Sequence, residues 1–340
     1  MSLAPKSADH LLRDSRRNVE INVGKACNNR CTFCIDGLPK AEDRSYISRD
    51  HAFSEIERWA ASGHQSLGFL GGEPTTWRWL PDAVAHARSQ GFTRVAIATN
   101  ATKLRLPHYT DRLVEAGLTR VTVSMHGHTA DLEDRLTRVP GNFKKKVVAL
   151  RYLLKKKAEG HLVDNVSVNV VVNGWNAPHL VQIMKFFWRL GLDDLRFNFI
   201  RTEGYALEDD SLTPRFTAVV PHMMKCLLLN ELRYKRSLTF SGVPLCQYPA
   251  SFLGNQALVQ RYLGEFRDLD TDCSVRSESL TPWGIEEIDA GRARFNWQER
   301  KRNDLKTKPA ACEGCAYDAP CEGVWKEWLT RYGPHDLRPL

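Results

Sequence analysis

No run in this sequence approaches the roughly 18 consecutive apolar residues that a membrane helix needs. The opening stretch, Met1 to Arg17, is polar and charged and lacks the apolar core of a secretion signal. Membrane proteins and secreted proteins drop out, and a cytoplasmic location is expected. Low-complexity segments are also absent, as are repeats of 20 to 50 residues beyond a βα alternation. Charge of one sign is not strongly in excess: 48 Lys and Arg against 40 Asp and Glu give a formal +8, which favours anionic partners weakly and leaves nucleic acid permitted but not indicated. What is there is ordinary globular material, 340 residues with 42% hydrophobic and 26% charged, enough for one large domain with a small appendage.

An even cysteine count is missing too. Nine cysteines, in a chain without a secretion signal, make poor material for a disulfide framework, and metal or cluster ligation reads better. One group is Cys27-x3-Cys31-x2-Cys34; another is Cys312-x2-Cys315-x5-Cys321; Cys226, Cys246 and Cys273 stand alone between them. Three thiolates within eight residues wrap one face of a cubane cluster and leave a fourth position open. Zinc is the alternative, and a closed structural zinc site wants a fourth protein ligand that has no candidate near the first group. In the tail group zinc carries more weight, since C-x2-C pairs are also common zinc knuckles, but cluster ligation is still the favoured reading.

From Asn18 onward, short β-rich runs alternate with amphipathic stretches, the pattern of βα units on a parallel sheet. Strands are expected near Val19–Val23, Ser66–Leu70, Arg94–Thr99, Arg120–Met125, Asn165–Val172 and Leu195–Ile200. Helices are expected near Arg49–Ser62, Leu80–Ser89, His108–Ala116, Asn142–Lys157, Ala177–Leu190 and, after the rhythm changes at Gly204, Pro214–Asn230. Ser48 suits the N-cap of the first helix, with Ala52, Ile56 and Trp59 along one face. Lys144 to Lys146 and Lys155 to Lys157 interleave with apolar residues and read as a solvated helix face. Six units are too few for a closed barrel of about 250 residues, so the expected fold is α/β, a partial (β/α)6 barrel with ligands at the strand C-termini. The chain divides into an N-terminal extension (1–17), the barrel core (18–205), a helical connector (206–240) and a small cysteine-rich domain (241–340).

The first cysteine group follows the first strand, Gly71-Gly72-Glu73-Pro74 follows the second, Thr99-Asn100 ends the third, and Ser124 with His126 ends the fourth. This combination resembles the radical S-adenosylmethionine (radical SAM) superfamily. The resemblance implies that Cys27, Cys31 and Cys34 hold three irons of a [4Fe-4S] cluster whose fourth iron is chelated by SAM. Phe33 would lie near the adenine, and Gly71, Gly72 and Glu73 would receive the SAM ammonium, the glycines permitting close approach. In relatives, polar groups at the positions of Thr99, Asn100, Ser124 and His126 contact ribose, methionine or substrate, although a strand-end Ser is also a common cap and a loop His is often satisfied by backbone. Asn169 and Asn198 face either the interior or the helices.

The tail, with Gly323-Val324-Trp325 after Cys321, resembles the auxiliary-cluster modules called SPASM and twitch domains. The full SPASM pattern has a cysteine where this chain has Trp325, which implies one auxiliary [4Fe-4S] cluster. Its ligands would be Cys312, Cys315, Cys321 and a fourth cysteine, Cys246, with Cys273 as the rival. Cys273 and Cys226 are then spare, and a spare thiol beside the substrate can donate a hydrogen atom; for Cys226 a buried helix position is the other reading. The implied chemistry is reductive cleavage of SAM to a 5′-deoxyadenosyl radical that takes hydrogen from substrate, with a flavodoxin- or ferredoxin-type reductant. The favoured substrate is a small polar biosynthetic intermediate (sugar, cyclitol or nucleoside-like), ahead of a ribosomal peptide. About 17 residues precede the first strand, too few for a recognition domain, so a peptide would bind directly or through a separate peptide-recognition protein. A non-catalytic iron–sulfur or zinc protein would explain the cysteines but not Gly71-Gly72-Glu73.

Overall fold

Period-two alternation builds the sheet. In β1 (Asn18–Asn22), Val19 and Ile21 are buried on one face while Glu20 and Asn22 occupy the other. The same division recurs in β2 (Ser66–Leu70) with Leu67 and Phe69, and in β3 (Arg94–Thr99) with Val95 and Ile97. In β4 (Arg120–Ser124) the buried pair is Val121 and Val123; in β5 (Asn165–Val172) Val166, Val168, Val170 and Val172 are buried; in β6 (Asp194–Phe199) it is Leu195 and Phe197. The computed structural model describes residues 15–36, 46–275, 278–281, 284–287 and 294–340. Residues 1–14 of the expected N-terminal extension lie outside the described residues.

The six strands run parallel and in sequence order, as the pattern predicts. The sheet is wider than six strands, however. β7 (Ser237–Ser241), placed by the sequence reading in a helical connector, pairs parallel with β6, and β8 (Thr271–Ser274) pairs parallel with β1 at the opposite edge. Beyond β9 (Glu278–Thr281) and β10 (Gly284–Glu287), which form a separate ribbon, β11 (Arg294–Asn296) closes the β8 edge antiparallel. The order is β11-β8-β1-β2-β3-β4-β5-β6-β7, an open sheet. β7 alternates like its neighbours, with Leu238 and Phe240 buried, but falls in a stretch read as helical, whereas β8, TDCS, is short and polar and carries no apolar alternation to read.

Helices α1 (Arg49–Ala61), α2 (Leu80–Ser89), α3 (Pro107–Glu115), α4 (Ala130–Thr137), α5 (Asn142–Ala158), α6 (Leu180–Leu190) and α7 (Phe216–Leu229) are the connections between successive strands, and they share one core with the buried strand residues. Ser48 caps α1 by accepting from His51 N at 3.1 Å. α4 has no counterpart in the sequence reading. Its signal is present all the same: Thr129 accepts from Leu132 N, and Asp131 and Glu133 complement the dipole in the first turn. Farther on, α8 (Ala250–Leu253) and α9 (Gln256–Tyr262) lead to β8, and β12 (Lys306–Thr307) pairs antiparallel with β13 (Val324–Trp325) in the cysteine-rich tail. Among the described residues no helix is long and apolar enough to cross a membrane.

Candidate active site

The loop after β1 carries the first three thiols, and neighbouring turns clamp it on three sides. Toward β2, Gly72 N donates to Gly24 O at 2.7 Å and Glu73 N to Ala26 O at 2.8 Å. Toward α4, Arg30 N donates to Thr137 O at 3.1 Å and Thr32 N to Leu136 O at 2.9 Å, while Asn142 Nδ2 at the start of α5 donates to Asn29 Oδ1 at 2.8 Å. Beyond β6, Tyr205 N donates to Cys34 O at 3.0 Å. A Cβ on Gly71 would stand 2.4 Å from Gly24 O, and one on Gly72 2.3 Å from Ala26 O. The room that these two glycines make is therefore filled by the loop's own backbone, a reason that the sequence reading did not anticipate.

Donors surround the sulfurs. Asn29 N points at Cys27 Sγ at 3.4 Å, Asn100 Nδ2 lies 3.9 Å from the same sulfur, and Asn29 Nδ2 is buried without a partner. Burial pushes the thiol of Cys31 up to about 12 and that of Cys34 up to about 11, so thiolates here need a cation beside them. Three clustered sulfurs, amide donors around them and one orphaned buried amide fit an iron–sulfur cluster, whose sulfurs accept such bonds.

Glu73 is buried, and its carboxylate is occupied. Oε1 accepts from Thr75 N (3.0 Å), Thr75 Oγ1 (2.5 Å) and Thr99 Oγ1 (2.6 Å); Oε2 accepts from Asn100 N at 2.6 Å. It braces the end of β2 to the end of β3, so the side chain expected to meet a ligand ammonium is turned into the protein. Asn100, fixed by that bond, spends Nδ2 on Asn28 Oδ1 at 2.7 Å and Oδ1 on Thr102 N and Oγ1.

Below the fourth strand end lies a buried ion pair that the sequence reading missed. Lys146, read as part of a solvated lysine face, is fully enclosed: Nζ donates to Glu133 Oε1 at 2.6 Å and to Ser124 O at 2.8 Å. Glu133 Oε2 accepts from His126 N and Gly127 N at 2.6 and 2.7 Å, and its pKa is held low because, against the cost of burial, Lys146, His126 and these hydrogen bonds together favour the carboxylate. His126 is likewise buried. Its Nδ1 accepts from Val171 N at 3.0 Å, which fixes the neutral tautomer with the proton on Nε2, and burial depresses its pKa to about 4. The ring meets Phe33 edge-on, centroids 4.6 Å apart. Phe33 and His126 therefore form one rigid wall beside the cysteines.

The sheet face opposite the helices is polar. In-register pairing puts Ser124 beside Asn169, and Asn198 Nδ2 donates to Asn169 Oδ1 at 2.7 Å; with their neighbours buried on the helix side, both asparagines lie on the open face. Gly68, Ala96 and Ala98 keep the middle of this face low, and Glu20 stands over Gly68, 3.5 Å from where a Cβ would be. Burial and the nearby Asp268 raise the Glu20 carboxyl to about 6, against the pull of Arg94 and Arg196. Arg120 closes the row, donating to Asp194 Oδ2 at 2.7 Å and Ser167 Oγ at 3.0 Å.

The remaining thiols separate clearly. Cys246, in the turn after β7, borders one cavity together with Cys312, Cys315 and Cys321. Gly323 N points at Cys321 Sγ at 3.4 Å and Gln247 Nε2 at Cys246 Sγ at 3.7 Å, again amide donors aimed at sulfur. Among the described residues, no three His, Cys, Asp or Glu close on a point where a single metal ion would sit, in the tail or in the first cysteine group. Cys273 is not with the tail thiols. It sits in β8 across from Glu20, on the open face of the sheet. Cys226 is sealed in the apolar core on α7 and does not reach that face, which removes the physical basis for its expected hydrogen-donor role. Trp325 is buried, with Lys306 Nζ 4.8 Å above its ring, and fills its position with packing in place of a ligand.

Comparison with known proteins agrees with this geometry. Residues 21–187 match the model of the Radical SAM superfamily. A probable GTP 3',8-cyclase of Metallosphaera sedula is 23% identical over 219 residues, covering 64% of this chain and 66% of the relative. An AdoMet-dependent heme synthase of Methanosarcina barkeri is 27% identical over 197 residues, covering 57% and 53%. The matched part thus spans between about half and two thirds of these curated relatives. The crystal structure of Streptococcus suis SuiB bound to S-adenosylmethionine shares the fold with a TM-score of 0.63 at 15% identity, over 96% of this chain and 77% of that one. SuiB bound to its precursor peptide SuiA gives 0.60 at 14% identity, over 92% and 71%. With thiol loop, glycine turn and parallel sheet arranged in this way, residues 21–187 of the chain are a radical SAM superfamily domain.

Proposed function

We propose that this chain holds a [4Fe-4S] cluster on Cys27, Cys31 and Cys34 and uses it to cleave SAM reductively and take a hydrogen atom from a small polar substrate on the open face of the sheet. When bound, the cluster and SAM supply the electron and the 5′-deoxyadenosyl radical; the protein supplies position and exclusion of water. The observation that carries the reading is the clamped loop, three thiols pinned between the Gly71-Gly72 turn and α4 with amide donors on sulfur. SAM would lie along the strand ends, against the backbone of Gly71 to Glu73, the Phe33–His126 wall, Thr99, Asn100, Ser124 and Asn169. Because the Glu73 carboxylate is committed to Thr75, Thr99 and Asn100, we assign the ammonium to backbone carbonyls of that turn.

A small polar substrate (sugar, cyclitol or nucleoside-like, undergoing oxidation, epimerisation or rearrangement) is favoured by what the strands present there: Ser, Thr, Asn and charged groups around a floor of Gly and Ala. Cys273 is the strand thiol on that face and is our candidate for returning hydrogen; the resulting thiyl radical would be restored to the thiol by one electron from the reductant and one proton from solvent. Cys246, Cys312, Cys315 and Cys321 would hold an auxiliary [4Fe-4S] cluster. The second reading is a ribosomal-peptide maturase, favoured by the likeness to peptide-bound SuiB over 92% of the chain. The test is anaerobic: the reconstituted protein with dithionite and SAM yields 5′-deoxyadenosine, and the Cys27→Ala, Cys31→Ala, Cys34→Ala triple variant yields none. Product from neither protein under any reductant contradicts the proposal. Faster SAM consumption with a leader-bearing peptide than with cyclitols or nucleotides would favour the second reading.

A further inference from the structure

Outside the clamped loop lies a cleft of about 250 Å³ that the proposed chemistry does not use. Lys103, Arg105 and Lys145 line it, with Asn28, Thr102 and Asn142 between them, and no carboxylate contributes to its lining. Among the described residues none of these three cations forms an ion pair. Lys103 Nζ donates to Thr75 O at 2.8 Å and stands 4.0 Å from the centroid of the Tyr109 ring, its charge partly offset by the Glu73 carboxylate, whereas Arg105, held by Nη1 to Thr102 O at 2.9 Å, and Lys145 leave their charge to the cleft. Charge of one sign held in a concave surface focuses the field there and draws in a partner of the opposite sign.

The position of the cleft decides what that partner is. Asn28, exposed at its wall, adjoins Cys27 in the chain, and its side chain is tied to Thr102 Oγ1 at 2.9 Å and to Asn100, whose amide also reaches Cys27 Sγ. A redox group seated here would be separated from the first thiol by a single residue of protein, on the outside of the loop, while SAM and substrate would lie on the sheet side. We infer that this basic cleft is the docking face of an acidic one-electron carrier protein that reduces the cluster. The inference rests on the function proposed above and adds to it a surface and a direction of electron entry. Basic residues at the rim set the rate of encounter and its dependence on salt more than they set the chemistry.

Arg105→Glu together with Lys145→Glu tests it, Lys103 being left in place because it supports the turn at Thr75. Lys225→Glu with Arg233→Glu, on exposed positions of α7 and the turn after it, is the control for net charge. Binding to a flavodoxin is measured directly, and cluster reduction by reduced flavodoxin is followed by electron paramagnetic resonance beside reduction by dithionite. Expected is a loss of about tenfold or more in flavodoxin binding and reduction for the cleft variant, steeply salt-dependent in the wild type, with dithionite reduction unchanged and the control close to wild type. Equal losses in cleft and control variants, undiminished flavodoxin binding, or an equal loss with dithionite would each overturn the docking face. So would pyrophosphate filling the cleft without displacing flavodoxin. Absence of 5′-deoxyadenosine from the wild type with dithionite would contradict the proposed function instead, because flavodoxin binding is read independently of it.

Discussion

Gly72 and Lys146 show how single residues hold the site without touching a ligand. At Gly72 an added methyl meets backbone oxygens 2.3 and 2.4 Å away, atoms of the cluster loop that have no side-chain rotamer to yield. Gly72→Ala is therefore expected to displace residues 24–26 and to lose the iron of the first site while leaving that of the tail, as read by iron content per chain and by the folded spectrum. Lys146 and Glu133 form a pair without solvent exposure, so removing one partner strands the other charge. Lys146→Met should cost about 3–5 kcal/mol in denaturant unfolding, and the double change with Glu133→Leu should recover most of it. A cost under about 1 kcal/mol for the single change would show that the pair is solvated in practice. The sequence hides this lysine inside a run of three, where pattern alone assigns a solvated face. Its burial follows from Glu133, on the one barrel helix that the apolar periodicity did not reveal.

At the scale of elements, what was legible is what is local. Cysteine spacing, the glycine turn and the βα alternation each lie within a few residues, and all of them recur in the folded chain where the pattern put them. Illegible were the edges of the sheet: β7 falls in a stretch read as a helical connector, and β8 is a polar four-residue strand that meets β1 across 253 residues of chain. β8 matters because it sets Cys273 opposite Glu20, whereas the spacing alone left Cys273 open as a cluster ligand. Glu20 on β1 offers a test of this polar face by pH. Its raised carboxyl means that the folded chain binds the proton more tightly than the unfolded chain, so stability falls as pH rises from about 4.5 to about 6 and the cost is complete above that. Glu20→Gln should accordingly raise the melting temperature at pH 8 and leave it unchanged near pH 4. A lower melting temperature at pH 8 would mean that Glu20 is ionised and stabilised by Arg94 and Arg196.

Across the whole molecule the nine thiols sort into two groups and two single positions: three on the loop after β1, four around the tail cavity, Cys273 on the open face and Cys226 in the core. This division predicts that Cys246→Ala lowers iron binding in the tail, whereas Cys273→Ala leaves iron unchanged and alters only turnover of a hydrogen-returning reaction. Iron loss from Cys273→Ala equal to that from Cys246→Ala would reverse the assignment. The most direct measurement is iron and sulfide per chain after anaerobic reconstitution, with 5′-deoxyadenosine assayed on the same samples. It compares the wild type, the Cys27→Ala, Cys31→Ala, Cys34→Ala variant and the Cys246→Ala, Cys312→Ala, Cys315→Ala, Cys321→Ala variant. The account predicts about eight irons for the wild type and about four for each variant, with SAM cleavage lost only when the first three thiols are removed. Cleavage that survives their removal, or four irons in the wild type that persist without them, would contradict it.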